Sequence, residues 1–415
     1  MSKQEVLHLT SVLTGGAGHY TMGIYQNMIR DGYDSYVCMH GEQLILPSGE
    51  SIDIPHKRTS WIVRIKRYLI RMIIQWTGGV NEKYAPYNLF EHLDLYDPSD
   101  LLKVLPQRPT HIMVHWVSGF ANAKYVRTLQ ELTGAKVFYW MIDEACLGGG
   151  CHYPWDCEGY KTGCKDCPMI NSHIIKSTIR KNFLHKQRYI PTDAEVVLPT
   201  EMDRIRLEQS QIWKSHKWHK MLEIVNEETF YPSEDTTELK MEFNLPLDKK
   251  LILFGSSFLD EERKGMRVLI EALQKIDRSD AVCVVIGSKD KLDIKLLNIR
   301  LGRVDIPTLA KLYRLADIFV CPSLEDSGPQ MINQSIMSGT PVVAFEMGVA
   351  LDIVKTGETG YLAKWNDADD MAKGINQLLD MPKDKFVQMR KKCRELAMVS
   401  FSRNVQNEFI KSLLK

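Results

Sequence analysis

The feature that most limits the possible folds is a regular alternation of short apolar runs with amphipathic segments, repeated in two series. The first series holds VLHLTS (6–11), SYVCMHG (35–41), HIMVHW (111–116), KVFYWMI (136–142) and EVVLPT (195–200). The second holds KLILFGSS (250–257), AVCVVIG (281–287), DIFVCPS (317–323) and TPVVAF (340–345). Helical spacing separates the strands, as in YTMGIYQNMIRDG (20–32), GMRVLIEALQKI (265–276) and IPTLAKLYRLA (306–316). Apolar strands with intervening helices indicate parallel sheets covered on both faces, because each crossover lays a helix on the sheet. Two series predict an α/β protein of two doubly wound, Rossmann-like domains facing a cleft. The polar stretch 225–250 contains two prolines and reads as the hinge. The expected domains are residues 1–227 and 228–399, with a terminal helix over 400–415 returning to the first. Ligands of such sheets bind at the carboxyl ends of the strands, so the loops that follow strands hold the candidate chemistry.

A chain of 415 residues agrees with two domains. Its formal net charge of +1 gives no reason to expect a general affinity for nucleic acid. The start, MSKQEVLHLTS, lacks the apolar core of a signal peptide, and no run of about 18 apolar residues suggests a span. The expected location is the cytoplasm, where thiols stay reduced.

Three loops stand out. TGGAGHY (14–20) follows the first strand and opens a helix, so Gly15 and Gly16 would let the backbone approach a phosphate at a helix N-terminus. It is not a G-x-G-x-x-G fingerprint, so no dinucleotide cofactor is indicated. EERKGMRVLIEAL (261–273) sets Arg263 and Lys264 just before a helix, where the helix dipole disfavours cations. They form either a diphosphate clamp or a solvated charge cluster. The richest stretch is ADIFVCPSLEDSGPQMINQSIMSGTPVVAF (316–345), a strand, a polar loop, a helix from about 329 to 337, and a turn into the next strand.

That stretch resembles the donor-binding segment of family 4 retaining glycosyltransferases, which have the GT-B fold. The resemblance extends to the glycine turn after the first strand and the Lys264-Gly265 pair. It also takes in LGRVDIPTLAKLYRLADIFVCPS (301–323), the Gly339-Thr340-Pro341 turn and GETGYLA (357–363). It implies transfer of a sugar from a nucleotide-diphosphate donor to a saccharide or lipid-linked saccharide acceptor, with retention, in surface polysaccharide synthesis. By the resemblance Asp326 contacts the donor sugar, and Gln334, a Glu in the family, holds the ribose hydroxyls. The run Glu325-Asp326-Ser327-Gly328-Pro329-Gln330 resembles a family segment whose backbone N–H groups face the diphosphate. Lys264 matches the diphosphate lysine. Its usual companion arginine is replaced in the region of Phe258, with Arg263 the substitute. Gly15 and Gly16 match the loop over the phosphate. The family's His-Asp pair reads Ile142-Asp143 here, leaving Asp143, Glu144 or His115 to compensate. Leaving-group charge would fall to Lys264, backbone N–H groups and the helix dipole, so no catalytic metal or other cofactor is implied. Rival readings are another GT-B enzyme, an epimerase or phosphorylase, and a non-catalytic scaffold, which Ile142 and Gln334 would favour.

Two features lie outside this donor chemistry. CLGGGCHYPWDCEGYKTGCKDC (146–167) holds five of the nine cysteines. Some members of the resembled family carry a similar insertion, here within 146–168, with Cys151, Cys157, Cys164 and Cys167 fitting a structural zinc site. Free buried thiols and labile disulfides are the alternatives. The segment KRTSWIVRIKRYLIRMIIQW (57–76) sets Trp61, Ile65, Leu69, Met72 and Trp76 along one side of a helix and Arg64, Arg67 and Arg71 along another. It is either an interfacial helix, placing the protein peripherally on a membrane beside a lipid-linked acceptor, or an ordinary helix packed on a sheet.

Overall fold

The computed structural model describes residues 4–55, 61–256, 261–287 and 293–415. These divide into two compact units. Unit 1 comprises Met1–Pro199, Asp203–Met221 and Phe409–Lys415, and unit 2 comprises Thr200–Met202 and Leu222–Glu408.

Unit 1 is built on an eight-stranded sheet. Its strands are β1 (Glu5–Thr10), β2 (Asp34–Met39), β3 (Gln43–Ile45), β4 (Ser51–Asp53), β5 (His111–Val114), β6 (Lys136–Trp140), β7 (Glu195–Leu198) and β8 (Trp218–Lys220). Their order is β4-β3-β2-β1-β5-β6-β7-β8, so the chain reverses direction across the sheet at β1 and β5. The pairs are parallel except β2–β3 and β3–β4. That antiparallel hairpin extends the sheet beyond what the sequence pattern predicted. Gly49 closes it in the left-handed region at φ +85°, and Leu46 N–H donates to Glu50 O at 2.8 Å. All six residues of β1 are buried, including His8. Leu7, Leu9, Ile112, Val114, Val137 and Val196 form the sheet's share of a core completed by Phe183 and Trp213.

Unit 2 is built on a six-stranded, wholly parallel sheet: β9 (Lys250–Ser256), β10 (Ala281–Gly287), β11 (Asn298–Gly302), β12 (Ile318–Cys321), β13 (Val342–Phe345) and β14 (Gly360–Ala363). The order β11-β10-β9-β12-β13-β14 is that of a Rossmann sheet, with its switch point between β9 and β12. The near-continuous apolar sequence of these strands follows from burial on both faces: Ile252, Phe254, Val282, Val320 and Val343 are fully enclosed. The stretch 225–250, read as a hinge, belongs to this unit. Arg394 Nη1 donates to the carbonyls of Phe230 (2.8 Å) and Met337 (2.9 Å), and the Phe230 ring lies 6.1 Å from Tyr313.

The expected terminal helix over 400–415 is Arg403–Leu413; the helix Lys383–Ser400 precedes it, and the fully buried Phe401 lies between them. The end of Arg403–Leu413 belongs to unit 1. Phe409 stands edge-on to Trp140, and Gln4 Nε2 donates to Leu414 O at 2.6 Å.

Candidate functional site

At the switch point of unit 2 the loops after β9 and β12 meet. Lys264 Nζ and Arg263 Nη1 donate to the same oxygen, Asp326 Oδ2, at 2.6 and 2.8 Å. Arg263 also pairs with Glu261. Burial alone would raise the Asp326 carboxyl; the adjacent Lys264 and Arg263 outweigh it and hold the group below the ordinary carboxylate value. The backbone fixes this arrangement. Leu324 N–H donates to Arg263 O at 2.7 Å, and Trp365 Nε1 donates to Leu324 O at 3.0 Å. Gly265 has φ +64°, and a Cβ there would sit 1.8 Å from Pro322 O, so only glycine lets the two loops close on each other. Gly348 was not legible as a site residue. A Cβ on it would lie 2.5 Å from Asp326 O and 2.8 Å from Ser327 O, so its missing side chain makes room for the Asp326 loop.

Beyond that loop the helix Gln330–Met337 begins with Pro329 as N-cap and no side-chain cap on its first N–H groups. Ser327 is buried. Gln334 is 5% exposed, and its Oε1 is buried with no hydrogen-bond partner. A buried amide oxygen without a donor is costly. Phe258, expected where the companion arginine would stand, lies outside the described residues.

In unit 1 the expected loop residues diverge. Gly15 starts the helix Gly15–Arg30 at φ +73°, and added Cβ atoms on Gly15 and Gly16 would meet open space. The crowded glycine of this turn is Gly18, where a Cβ would lie 2.3 Å from the Leu13 carbonyl carbon. His115 is buried and tied inward: its Nε2 is 2.9 Å from His8 Nδ1, and His8 Nε2 is 2.8 Å from Ser35 Oγ. Burial pushes His115 well below the usual histidine range and His8 down to about 3. That neutral pair makes His115 a poor proton acceptor. Glu144 is buried in an ion pair with Arg206. Asp143 is the candidate left at the end of β6, and it has three partners. Its Oδ1 accepts from Ala145 N–H at 2.9 Å. Its Oδ2 accepts from Trp116 Nε1 (2.9 Å) and faces His152 Nδ1 (2.6 Å). His152 comes from the cysteine-rich insertion, and its sequence neighbours give no sign of this contact.

All nine cysteines stand as free thiols in the structure. Cys151, Cys157, Cys164 and Cys167 line one small pocket with Leu147, Tyr160 and Ile179. Among the described residues no group of three or more His, Cys, Asp or Glu is already drawn together as a metal cage. Burial raises the Cys164 thiol to about 11 and the Cys167 thiol to about 12, the neutral state of a packed apolar group.

The interfacial segment is a helix over Trp61–Thr77 with no buried residue; the expected start, Lys57–Ser60, lies outside the described residues. Ile73 and Ile74 pack on the core. Trp61 (70% exposed), Leu69 (51%) and Trp76 (86%) point away from it, together with Ile65 and Met72. The expected basic face is divided. Arg67 and Arg71 lie over the Phe90 ring at 5.3 and 5.6 Å, and Arg64 stays exposed. Among the described residues no helix is long and apolar enough to cross a membrane.

Two Rossmann-like units with these sheets define a protein of the GT-B fold, and solved structures share it along the chain. Sucrose-phosphate synthase from Thermosynechococcus elongatus superposes with a TM-score of 0.67 at 15% identity over 99% of each chain. A glycosyltransferase from Rickettsia africae gives 0.66 at 15% identity, over 100% of this chain and 98% of its own. Anabaena HepE in complex with UDP-glucose gives 0.64 at 13% identity over 99% of each. Within the chain, residues 235–397 match the family of glycosyl transferases group 1. Curated relatives include a phosphatidyl-myo-inositol mannosyltransferase of Mycobacterium leprae, 30% identical over 151 residues, or 33% of this chain and 40% of the relative. Another is an N-acetyl-alpha-D-glucosaminyl L-malate synthase of Bacillus anthracis, 26% identical over 166 residues, or 37% of this chain and 42% of the relative. The match spans about two fifths of these relatives' length.

Proposed function

We propose that the protein is a glycosyltransferase that moves a sugar from a nucleotide-diphosphate donor to an acceptor hydroxyl, with retention, in the synthesis of a surface polysaccharide. The observation that carries this reading is the Lys264–Asp326–Arg263 cluster at the switch point of a Rossmann sheet. A diphosphate and the Asp326 carboxylate compete for the same two cations. When the donor docks, Lys264 and Arg263 turn to the diphosphate, and Asp326 is freed to accept hydrogen bonds from the donor sugar. Charge developing on the leaving diphosphate then meets two fixed cations and the N-terminus of the helix Gln330–Met337, without a metal being required. Gln334 Oε1 accepts from a ribose hydroxyl and gains the partner it lacks. The UDP-glucose complex of HepE supports a nucleotide-sugar donor.

The helix Trp61–Thr77 supports a peripheral seat at the inner face of a membrane. Its outward row of two Trp, Leu, Ile and Met would insert at the headgroup boundary, with Arg64 beside anionic lipid. That position suits a lipid-linked acceptor. The test is a thermal-shift screen of UDP-, GDP- and ADP-sugars, followed by transfer assays on Asp326→Ala and Lys264→Ala. A donor raises the melting temperature by mass action, and both variants lose transfer. Wild-type transfer in both would sink the assignment.

A further inference from the structure

The cysteine-rich insertion has little regular structure of its own. A single four-residue helix, Gly159–Thr162, lies between Cys157 and Cys164. Its backbone nevertheless gathers sulfur atoms. A Cβ on Gly148 would lie 3.5 Å from Cys151 Sγ and 3.9 Å from Cys164 Sγ. One on Gly159 would lie 3.3 Å from Cys157 Sγ and 3.5 Å from Cys164 Sγ. The two glycines thus leave open the space that these three sulfurs border. Cys167 lines the same pocket, near enough to Cys164 and Cys157 for their charges to interact.

Two further observations point to a cation there. First, backbone N–H groups are aimed at the sulfurs. Gly159 N–H donates to Cys157 Sγ at 3.4 Å. Gly149 N–H donates to Cys164, and the N–H groups of Met169 and Ile170 donate to Cys167. A thiol is a weak acceptor and an anionic sulfur a strong one, so these donors suit thiolates. Second, Lys186 on the helix His173–Tyr189 is 4% exposed and stands beside the insertion. Its ammonium donates to Ala145 O at 2.5 Å and Gly148 O at 2.9 Å. Neutral carbonyls solvate that charge without cancelling it. Lys186 is close enough to Cys151 and Cys164 to act on any charge they carry. A Cβ on Gly149 would lie 2.3 Å from Ile179 O, so glycine there lets the insertion run directly against the helix of Lys186.

We propose that Cys151, Cys157, Cys164 and Cys167 hold a zinc ion as four thiolates, and that Lys186 supplies the buried counter-charge. Each thiol gives up its proton on binding, so one Zn2+ and four thiolates leave a net double negative charge. The ammonium and the four N–H groups stand where that charge forms. An all-sulfur set selects zinc over a harder cation. Four protein ligands fill the shell and leave no position for a substrate, so the ion is structural. The sulfurs border the pocket without yet forming a cage, and the ion draws them in as it binds. Its work is to fix the insertion that carries His152 to within 2.6 Å of Asp143. This site is independent of the donor chemistry in unit 2.

The test is metal analysis of the full chain purified without chelator, then cobalt(II) titration of the chelator-stripped protein. About one zinc per chain should be present. Cobalt should give the visible absorption of a tetrahedral, thiolate-bound ion, and zinc should bleach it. Cys164→Ser combined with Cys167→Ser should abolish both, and Cys146→Ser should keep both. Cys157→His retains a metal ligand, so it should still bind cobalt with a displaced band, a readout that stands even where the double variant does not fold. Lys186→Gln should weaken zinc by about 10–100-fold in competition with a chelator, and Lys186→Arg should recover most of that loss. Folded wild-type protein that takes up neither zinc nor cobalt overturns the proposal. So does iron with inorganic sulfide in place of zinc, a disulfide among the four cysteines in protein alkylated at lysis, or zinc that survives in the double serine variant. Loss of zinc in Cys146→Ser overturns the ligand set, and unchanged affinity in Lys186→Gln overturns the counter-charge.

Discussion

Replacing Asp326 by Asn separates the structural from the catalytic work of the cluster. Asn keeps the shape and loses the charge. Lys264 and Arg263, 26% and 16% exposed in their side chains, then face each other with no shared carboxylate. Removing one partner of a buried ion pair costs about 3–5 kcal/mol. Glu261 still pairs with Arg263, which places the loss near the lower end, about 3 kcal/mol. For a unit of this size that is a fall of roughly 6–12 °C in melting temperature. UDP should recover more stability in the variant than in the wild type, because its diphosphate no longer displaces a carboxylate. Turnover should still drop by about 10²-fold or more, since the donor sugar loses its positioning acceptor. Acid adds a check on sign. The folded carboxyl lies below its ordinary value of 3.8, so its stabilisation is fully present above that pH and is lost as pH falls through the folded value. The melting gap between wild type and Asp326→Asn should therefore hold at neutral pH and close in acid. The assay is calorimetry with and without UDP, paired with donor turnover. A variant that melts with the wild type, or turns over at its rate, refutes the reasoning.

Other perturbations reach other parts of the molecule. Gly265→Ala puts a Cβ 1.8 Å from Pro322 O at a left-handed φ, so unit 2 should lose at least about 2 kcal/mol and nucleotide binding with it, read by thermal unfolding with and without UDP. His8 is held neutral, its value lowered from 6.5 to about 3 by burial. Its folded state refuses a proton that the unfolded chain accepts below 6.5, so stability should fall on acidification by up to about 1.4 kcal/mol per pH unit. His8→Gln should flatten that slope in urea unfolding between about pH 7 and 5. Trp61→Ser combined with Trp76→Ser should leave the melting temperature unchanged, because both side chains are exposed, and should abolish flotation with phosphatidylserine-containing vesicles. Unchanged flotation would remove the membrane reading.

The amino-acid sequence determined what repeats locally. Alternating apolar runs and helical spacing are set within a few residues, so two parallel, doubly wound sheets were legible without a structure. The strands that escaped are short: β3, β4 and β8 have three residues each, β14 four and β11 five, too few to carry a clear period. The donor loops were legible because each is one continuous stretch between a strand and a helix. Their meeting was not: Lys264 and Asp326 are 62 residues apart, and their shared oxygen follows from the β9–β12 adjacency and the glycine at 265. Packing also decided matters on which the residues were silent. The helix Trp61–Thr77 is apolar on several sides, and only its docking through Ile73 and Ile74 reveals that the tryptophan row faces outward. His115 and His152 look alike as lone histidines. His115 pairs with His8 and lines a pocket in unit 1, and His152 lies between a carboxylate and a serine, brought there by the cysteine-rich loop. Which partner each histidine has depends on chain segments far apart in sequence, and only the folded backbone brings those together.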